Sequence, residues 1–314
     1  MLNEIFPHHL TNRLHDVESR LREATRSRQE DLDAWTGETL SAGGKRIRPL
    51  LLMASYAACN GPEKGWPEVI TACAAIEMVH TASLVHDDIM DEAATRRGLP
   101  STYAAHGRDA AILVGDYLFT QAFALGAELP KDAMDLTADA CRRLCEGQIR
   151  ETALHRTGVP DAAAYLQVIR DKTSALLSAA CGIGATLAGA TQHIETMMRY
   201  GDRLGQAFQI LDDVLDVTGD PAWTGKPSGS DFIAGTWGSP YIHHAERGGT
   251  LPSREAKNFP AARDALLQSG AVAHSQLDAS SYTQEALLML QQLPENDARQ
   301  SLERLAEQLM ERIQ

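Results

Sequence analysis

Apolar residues recur every three or four positions along most of the chain, in stretches of about 15 to 25 residues separated by short Gly, Pro or Asp breaks. This spacing predicts amphipathic helices, and the alternation typical of β-strands is nearly absent. We therefore expect an all-α fold. Because no low-complexity linker and no fixed-period repeat divides the sequence, we expect residues 1–314 to form a single domain, a helical bundle around a central cleft.

The positions of Gly, Pro and Asn set approximate helix bounds. We predict helices over residues 10–42 (one helix or two), 49–59, 67–94, 110–129, 131–155, 161–190 and 191–217. Four Gly-containing breaks make 218–238 the one long loop. Helices resume at Tyr241, with a polar interruption over 246–255.

The composition describes an acidic globular chain. It has 29 Lys and Arg against 42 Asp and Glu, a formal net charge of −13, and 44% hydrophobic residues, enough for a large core. Such acidity excludes a general nucleic-acid binder, which presents a basic face to phosphates. Any anionic ligand must therefore be held by local Lys and Arg clusters or by metal ions.

Cysteines and the N-terminus indicate the compartment. Five cysteines without a CxxC pair suit no closed disulfide framework, and residues 1–20 lack the basic and apolar regions of a signal peptide. No uninterrupted run of 18 apolar residues is present. We therefore expect a cytoplasmic protein without a stable membrane anchor, and we expect Cys141 and Cys145, one helical turn apart, to be buried packing residues.

Two segments repeat the same acidic pattern, LVHDDIMDEA at 84–93 and QILDDVLDVT at 209–218. In each, three aspartates fall within a sector of about 100° on a helix. Carboxylates this close repel one another unless cations neutralise them, and Mg²⁺ prefers such oxygen ligands together with water and phosphate. Apolar flanks give each helix a face to bury, so we expect the triplets to face each other across an acidic cleft. The triplets are Asp87, Asp88, Asp91 and Asp212, Asp213, Asp216.

Basic residues accompany both triplets. The GGKRIRP segment at 43–49 places three cations beside two glycines, Arg96-Arg97 follows the first triplet, and Lys226 follows the second. His80 lies two turns before Asp87 on the same helix face. Arginine binds phosphate through a bidentate fork, and lysine binds it as a point charge. Each residue alone has a structural explanation, but together they predict a cleft for diphosphates, with metal ions at one end and cationic side chains at the other.

These motifs resemble the trans-isoprenyl diphosphate synthases of the polyprenyl synthetase family, medium- to long-chain type. The resemblance rests on GGKRIRP at 43–49, EMVHTASLVHDDIMD at 77–91, RRGLP at 96–100, GDYLFTQAF at 115–123, KTS at 172–174, GQAFQILDDVLD at 205–216 and GKPSGSD at 225–231. It implies an all-α isoprenoid-synthase fold, a homodimer, and head-to-tail condensation of isopentenyl diphosphate onto an allylic diphosphate.

The resemblance also implies roles for the matching residues. The six aspartates would hold Mg²⁺, three ions with substrate bound, that chelate the allylic diphosphate, with Asp216 acting more through indirect contacts. The same diphosphate would be bound by Arg96, Lys172 and Lys226. Isopentenyl diphosphate would be held by Lys45, Arg48, His80 and Arg97. The catalytic residues beside the reacting carbons would be Lys172, Thr173 and Gln209.

Product length is predicted from the helix that carries the first triplet. No aromatic residue stands just before the motif and no two residues are inserted within it, the devices of the short-chain enzymes. Small side chains leave room for a growing hydrocarbon, so we expect six to eight isoprene units. The predicted tunnel residues are Ile76, Val79, Ala82 and Ser83, with a plug at Met134, Leu136 or Phe123.

The sequence departs from the family at one place and leaves alternatives open. The family's Gly-Lys-x-Thr-Leu-Pro pattern is replaced by GTWGSP at 235–240, so one lysine contact to diphosphate is missing. The alternatives are a geranylgeranyl diphosphate synthase, a non-catalytic helical partner subunit, and a terpene cyclase, which would lack the GGKRIRP site. The pair His243-His244 would point about 100° apart on a helix, which favours structural roles.

Overall fold

The computed structural model describes residues 2–158, 160–219 and 228–311. Almost all of the secondary structure in them is helical, so the all-α prediction is confirmed. The helices are α1 (Leu2–Ile5), α2 (His8–Ala24), α3 (Glu30–Ser41), α4 (Ile47–Ala58), α5 (Trp66–Met90), α6 (Thr102–His106), α7 (Arg108–Gly126), α8 (Lys131–Thr157), α9 (Ala162–Val168), α10 (Ala175–Leu187), α11 (Ile194–Thr218), α12 (Ser230–Ala234), α13 (Ser239–Glu246), α14 (Phe259–Gln268), α15 (Ala271–Leu290) and α16 (Asp297–Glu311). Short 3₁₀ turns lie at Glu63–Gly65, Thr191–His193 and Ala256–Asn258.

The chain divides into two compact units. The first unit comprises Met1–Cys141, Ala179–Met198 and Leu293–Leu302, and in it α5 packs against α2, α4 and α7. The second unit comprises Arg142–Ser178, Arg199–Gln292 and Glu303–Gln314, and in it α13 packs against α9, α14 and α15. The expectation of a single domain stays a prediction.

Helix α5 forms the centre of the first unit because most of its residues before the aspartate triplet are apolar, on all sides of the helix. A helix without a polar face is stable only when it is buried. By length and composition the stretch Glu63–Met90 could cross a membrane, but 78% of its most apolar 18-residue window is buried inside the structure. This burial is that of a core helix.

Helix α5 ends four residues earlier than predicted, where the chain turns into a hairpin that the sequence did not reveal. Glu92 has a left-handed φ of 50°, and the strands β1 (Thr95–Arg96) and β2 (Leu99–Pro100) pair antiparallel. The connecting residues Arg97 and Gly98 both have positive φ, 55° and 78°, as tight hairpins require. Strands of two residues are too short to show alternation in a sequence.

The predicted helix over 161–190 is interrupted. Between α9 and α10 the chain forms a π-helical turn, Ile169–Ser174, which holds the KTS motif. Such turns occur most often at functional sites. The predicted loop over 218–238 contains α12, and its residues 220–227 lie outside the described part of the chain.

An apolar cluster fixes the C-terminal end of α11 in the second unit. Val214 and Val217 on α11 pack with Phe232 of α12 and Tyr241 of α13, and Trp237 lies against the same cluster. The aspartates of the second triplet alternate with these buried residues along α11. Burial of the cluster therefore determines where the second triplet lies.

Candidate active site

The first aspartate triplet occupies the end of α5. Asp88 is buried, Asp87 is half-buried, and Asp91 is exposed and follows the last helical residue. The C-terminus of a helix carries the negative end of the helix dipole, so three carboxylates there are unfavourable without cations. A main-chain hydrogen bond follows the last turn of the helix: Ala93 N donates to Asp88 O at 2.9 Å.

One cation is already in place beside this triplet. Arg96 on β1 donates from Nε to Asp88 Oδ1 at 3.0 Å, and its Nη2 donates to the same oxygen. Burial lowers the pKa of Arg96, but the bond to Asp88 and the charges of Asp88, Asp87 and Asp91 outweigh burial and raise this pKa. Asp88 therefore orients Arg96, and the other two carboxylates lie within its field.

The hairpin also carries Arg97 to the GGKRIRP segment. A Cβ atom at Gly44 would lie 2.8 Å from Arg97 Nη1, and Gly44 has a φ of 144°, which side-chain-bearing residues rarely adopt. Only glycine fits here. The structure thus brings together two motifs that are about 50 residues apart in the sequence.

Arg46 serves the protein rather than a ligand. It lies at the start of α4 with a left-handed φ of 48°, and its side chain is 6% exposed. It donates from Nε to Glu18 Oε1 (2.6 Å), from Nη1 to Glu77 Oε1 (2.8 Å) and from Nη2 to Leu40 O (3.0 Å). These bonds fix the backbone between Lys45, which is exposed, and Arg48.

Of the four predicted isopentenyl diphosphate residues, Arg48, His80 and Arg97 form a cluster in the structure. Burial, followed by the charges of Arg48, Arg97, Arg46 and Arg96, holds the pKa of His80 well below its usual range. His80 is therefore neutral at physiological pH. Burial lowers the pKa of Arg48 to about 10, and its Nε atom is shielded from solvent without a hydrogen-bond partner among the described residues. A cluster of this kind is suited to an anion.

A cavity of about 230 Å³ lies next to this cluster in the first unit. Arg96, Arg97 and Asp88 line one part of it, and Leu84 and Leu99 belong to its apolar wall. An apolar wall beside two arginines matches a ligand with an anionic head and a short hydrocarbon.

In the second unit, Asp213 is held by protein donors. It is buried, and it accepts hydrogen bonds from Tyr165 OH (2.6 Å) and Ser239 N (2.9 Å) at Oδ2 and from Gln209 Nε2 (3.0 Å) at Oδ1. Burial raises its pKa to about 6, against the lowering effect of these bonds. Gly238 makes room for it, since a Cβ there would lie 2.8 Å from the carboxylate. Asp213 is thus committed to internal contacts.

Asp216 and Asp212 differ from it. Asp216 accepts from Ser230 N (3.1 Å), Ser230 Oγ (2.5 Å) and Asp231 N (3.2 Å), so it orders the start of α12. This agrees with the indirect role expected for Asp216. Asp212 is exposed, and its side chain forms no hydrogen bond with the part of the chain that the structure describes. It is the member of the second triplet best placed to bind a ligand.

The predicted catalytic residues lie together in the second unit. Thr173 donates from Oγ1 to Gln209 Oε1 at 2.8 Å, and Lys172 Nζ lies 2.5 Å from Glu151 Oε2. These four residues and Asp213 line a cavity of about 170 Å³. The sequence analysis assigned no role to Glu151 or to two further lining residues, Tyr165 and Trp237. Glu151 and Tyr165 stand in no motif that we recognised, and Trp237 was noticed only as a departure from the family pattern.

The predicted tunnel residues are in the core of the first unit. Ile76, Val79 and Ala82 are fully buried, and Ser83 is half-buried. The cavity of about 230 Å³ is lined by Thr81, Leu84 and Val85, on the adjacent face of α5, and not by these four residues. Of the candidate plugs, Phe123 is 41% exposed, Met134 packs against Gly126, and Leu136 packs against Gly182. The tunnel assignment stays a prediction.

The donor set fits a hard divalent cation. In residues 2–158, 160–219 and 228–311 no three His, Cys, Asp or Glu side chains are grouped as a complete metal site. Magnesium does not need one, because it binds through one or two carboxylates and completes its shell with water and substrate phosphate. Asp87, Asp91 and Asp212 are carboxylates with some exposure, and Asp87 and Asp91 lie at the C-terminus of α5, where a cation is favourable.

Several other predicted features can be placed. Lys226 lies outside the described residues. His243 contacts Asp278 (Nε2 to Oδ2, 2.7 Å) and His244 contacts Ser269 (Nδ1 to Oγ, 2.9 Å), so the two rings point to different partners, as expected. The prediction that Cys141 and Cys145 are buried is wrong: Cys145 is exposed and Cys141 is half-buried.

The fold is that of the all-α isoprenoid synthases. The polyprenyl synthase from Caulobacter crescentus, crystallised with calcium and isoprenyl diphosphate, matches with a TM-score of 0.90 and 30% sequence identity, over 99% of this chain and 97% of that chain. An aspartate triplet near the end of each of two helices accompanies this fold here.

The sequence matches the Polyprenyl synthetase family over residues 29–260. It is 35% identical to a short chain isoprenyl diphosphate synthase from Methanothermobacter thermautotrophicus, over 87% of this chain and 88% of that protein. It is 33% identical to the heptaprenyl diphosphate synthase component 2 of Geobacillus stearothermophilus, over 95% of both. The chain belongs to the polyprenyl synthetase family, as its motifs indicated, and it is a trans-prenyltransferase.

Proposed function

We propose that this enzyme condenses isopentenyl diphosphate head-to-tail onto an allylic diphosphate and releases an all-trans polyprenyl diphosphate of six to eight isoprene units. The observation that carries the proposal is the pair of cations Arg48 and Arg97 beside neutral His80, which adds to Arg96, the arginine bound to Asp88. A terpene cyclase binds one diphosphate and has no use for a second cationic site. A non-catalytic partner has no need for two intact aspartate triplets.

Divalent metal ions, Mg²⁺ by the chemistry of the ligands, belong to this proposal. They would be held by both triplets, with Asp87, Asp91 and Asp212 as the direct ligands, and three ions are expected with substrate bound. When bound, the ions neutralise charge on the leaving diphosphate. The motifs and the calcium-containing relative from Caulobacter crescentus support this assignment.

The side chains of this chain have distinct tasks in the reaction. Arg96, Lys172 and Lys226 bind the allylic diphosphate, and Lys45, Arg48, Arg97 and neutral His80 hold isopentenyl diphosphate in line with it. Thr173 and Gln209 lie beside the reacting carbons. The allylic C–O bond breaks, the double bond of isopentenyl diphosphate attacks the allylic carbon, and the proton that is lost passes to the departed diphosphate. Fixed cations that stabilise the leaving group lower the barrier to the first step.

Three further statements are part of the proposal. The chain acts as a single-domain homodimer in the cytoplasm, without nucleic acid. It is active without a second kind of subunit, although the Geobacillus relative is named as a component. The product is longer than four units, although another relative is named a short chain synthase.

One experiment tests the proposed reaction, its metal requirement and the product length together. The purified chain is incubated with Mg²⁺, farnesyl diphosphate and labelled isopentenyl diphosphate, and the dephosphorylated products are separated by chromatography. We expect labelled products that end at six to eight units and no product with excess chelator. A product of four units would support the geranylgeranyl alternative. No labelled product from a folded, Mg²⁺-loaded sample would contradict the proposal.

A further inference from the structure

The π-helical turn Ile169–Ser174 raises the question of what holds it. A π-turn has one residue more per turn than the α-helix, packs less well, and persists only where its surroundings favour it. This turn contains Lys172 and Thr173, two residues of the proposed reaction. Its extra residue sets the direction in which both side chains leave the helix.

Asp171, the residue before Lys172, is the centre of a buried ionic cluster. Its Oδ1 accepts from Arg143 Nε at 3.0 Å, and its Oδ2 accepts from Arg150 Nη1 at 2.6 Å and from Gln167 Nε2 at 2.8 Å. Burial would raise the pKa of Asp171, but the bonds from Gln167, Arg143 and Arg150 outweigh it and lower this pKa. The carboxylate is therefore ionised and both of its oxygens are bonded.

Arg143 and Arg150 lie on the face of α8 that contacts the π-turn. Arg143 also donates from Nη2 to the main-chain oxygen of Arg170 at 2.9 Å, inside the turn. Gly147, one turn further along α8, has no space for a side chain: a Cβ would lie 2.9 Å from Lys172 N and 3.0 Å from Asp171 Cβ. Glu151 on the same face receives Lys172. Residues 143, 147, 150 and 151 share a face because they are spaced by three or four.

We propose that Arg143, Asp171 and Arg150 form a positioning cluster that fixes the π-turn and thereby aims Lys172 and Thr173 at the allylic diphosphate and the reacting carbons. The cluster does not touch the substrates. It acts through the backbone of the turn, which it holds from α8 by two charge-assisted bonds to Asp171 and one bond to a main-chain carbonyl. This inference rests on the proposed function of Lys172 and Thr173.

The substitution Asp171→Asn tests the cluster with little change in shape. It removes the charge that both arginines share, so the turn loses its anchor. We expect kcat/KM for the allylic diphosphate to fall about 10- to 100-fold, the usual effect of a small misplacement of reacting groups. The KM for isopentenyl diphosphate should stay within about twofold, because its proposed ligands lie elsewhere in the chain.

A control variant at Arg142 and two variants of Arg150 distinguish a loss of positioning from a loss of folding. Arg142, the neighbour of Arg143, forms an exposed ion pair with Glu146 on α8, and Arg142→Gln should leave both KM values and kcat unchanged. Arg150 is more exposed than Asp171, so its variants should fold. Arg150→Lys keeps a charged donor and should retain more allylic activity than Arg150→Met.

The outcomes distinguish this inference from the proposed function. If the wild-type chain forms no product, the proposed function fails. If the wild type is active and Asp171→Asn or Arg150→Met lowers the thermal midpoint while the allylic kcat/KM stays at the wild-type value, the cluster is only structural and the inference fails. An equal rise of KM for both substrates would also overturn it.

Discussion

Thr173 and Gln209, 36 residues apart in the sequence, are joined by a hydrogen bond of 2.8 Å from the threonine hydroxyl to the amide oxygen. The amide nitrogen of Gln209 donates in turn to Asp213 at 3.0 Å. Each end of the amide thus has its own partner, so the side chain has one orientation. These two hydrogen bonds form a relay from Thr173 through Gln209 to Asp213, which connects the π-turn to the second aspartate triplet.

Loss of the hydroxyl should impair turnover more than binding. In Thr173→Val the amide oxygen of Gln209 loses its donor and the relay is free to turn. We expect kcat to fall about tenfold or more, as for other lost active-site hydrogen bonds. Thr173→Ser keeps the hydroxyl and should retain most of the activity in steady-state assays. Wild-type turnover by Thr173→Val would count against the relay.

Removal of Arg46 should cost stability. Arg46 and Glu77 are 6% and 2% exposed, and one oxygen of Glu77 already has no partner among the described residues. In Arg46→Met the buried carboxylate loses its counter-ion, so we expect the free energy of unfolding to fall by about 3–5 kcal/mol. Urea denaturation measures this, and the exposed Arg142→Gln should change it by less than about 0.5 kcal/mol. Equal midpoints for both variants would contradict the structural role of Arg46.

The glycine pair of GGKRIRP offers a matched comparison. Gly44→Ala would push its Cβ into the Arg97 guanidinium, whereas a Cβ at Gly43 meets nothing within 4 Å. Both glycines have positive φ, so both variants bear a backbone cost of about 1 kcal/mol. Only Gly44→Ala should raise the KM for isopentenyl diphosphate, by about tenfold. If both variants had the same KM for isopentenyl diphosphate, Arg97 would not be a ligand of that substrate.

His80 makes stability depend on pH. Its pKa is well below 6.5 in the folded protein, so the unfolded chain binds more protons once the pH falls below about 6.5. Folding stability from this group is present above that pH and is lost as the pH falls, by up to about 1.4 kcal/mol per unit. The variant His80→Gln lacks this dependence. The difference in unfolding free energy between the wild type and His80→Gln, measured by denaturation, should therefore be smaller at pH 5 than at pH 7.5. An equal difference at both pH values would show that His80 is not held neutral.

Product length should respond to the side of α5 that precedes the first triplet. Ala82 is fully buried one helical turn before His86. Replacement by Phe should narrow the predicted tunnel and shorten the main product, at a stability cost of about 1–3 kcal/mol from overpacking. Chromatography of the dephosphorylated products measures the length. An unchanged product from a folded Ala82→Phe enzyme would exclude this tunnel.

The sequence predicted the helices well, because most are long and strongly periodic. It missed the hairpin at 95–100 and the π-turn at 169–174, since neither has a local pattern: the hairpin is too short, and Asp171 in the π-turn is bonded to Arg143 and Arg150 from another helix. Long-range ion pairs of this kind leave no spacing signal in a single sequence.

The charged residues of the candidate site could be predicted from the sequence, but the different roles of these residues could not. The motifs identified Asp88 and Asp213 as equals of the other aspartates and assigned an indirect role only to Asp216. In the structure Asp88 is bonded to Arg96, and Asp213 is bonded to Tyr165 and Gln209. Asp216 is bonded to Ser230. Such differences depend on burial and on partners that are distant in sequence.

The central claim is that both triplets act on the same allylic diphosphate through metal ions. Calorimetry with Mg²⁺ and an unreactive thio analogue of farnesyl diphosphate tests it on the wild type, Asp91→Asn, Asp212→Asn and the double variant. We predict that each single substitution weakens binding about tenfold or more, and that the double variant loses less than the product of the two losses, because the sites share one ligand. Wild-type affinity in either single variant would contradict the claim.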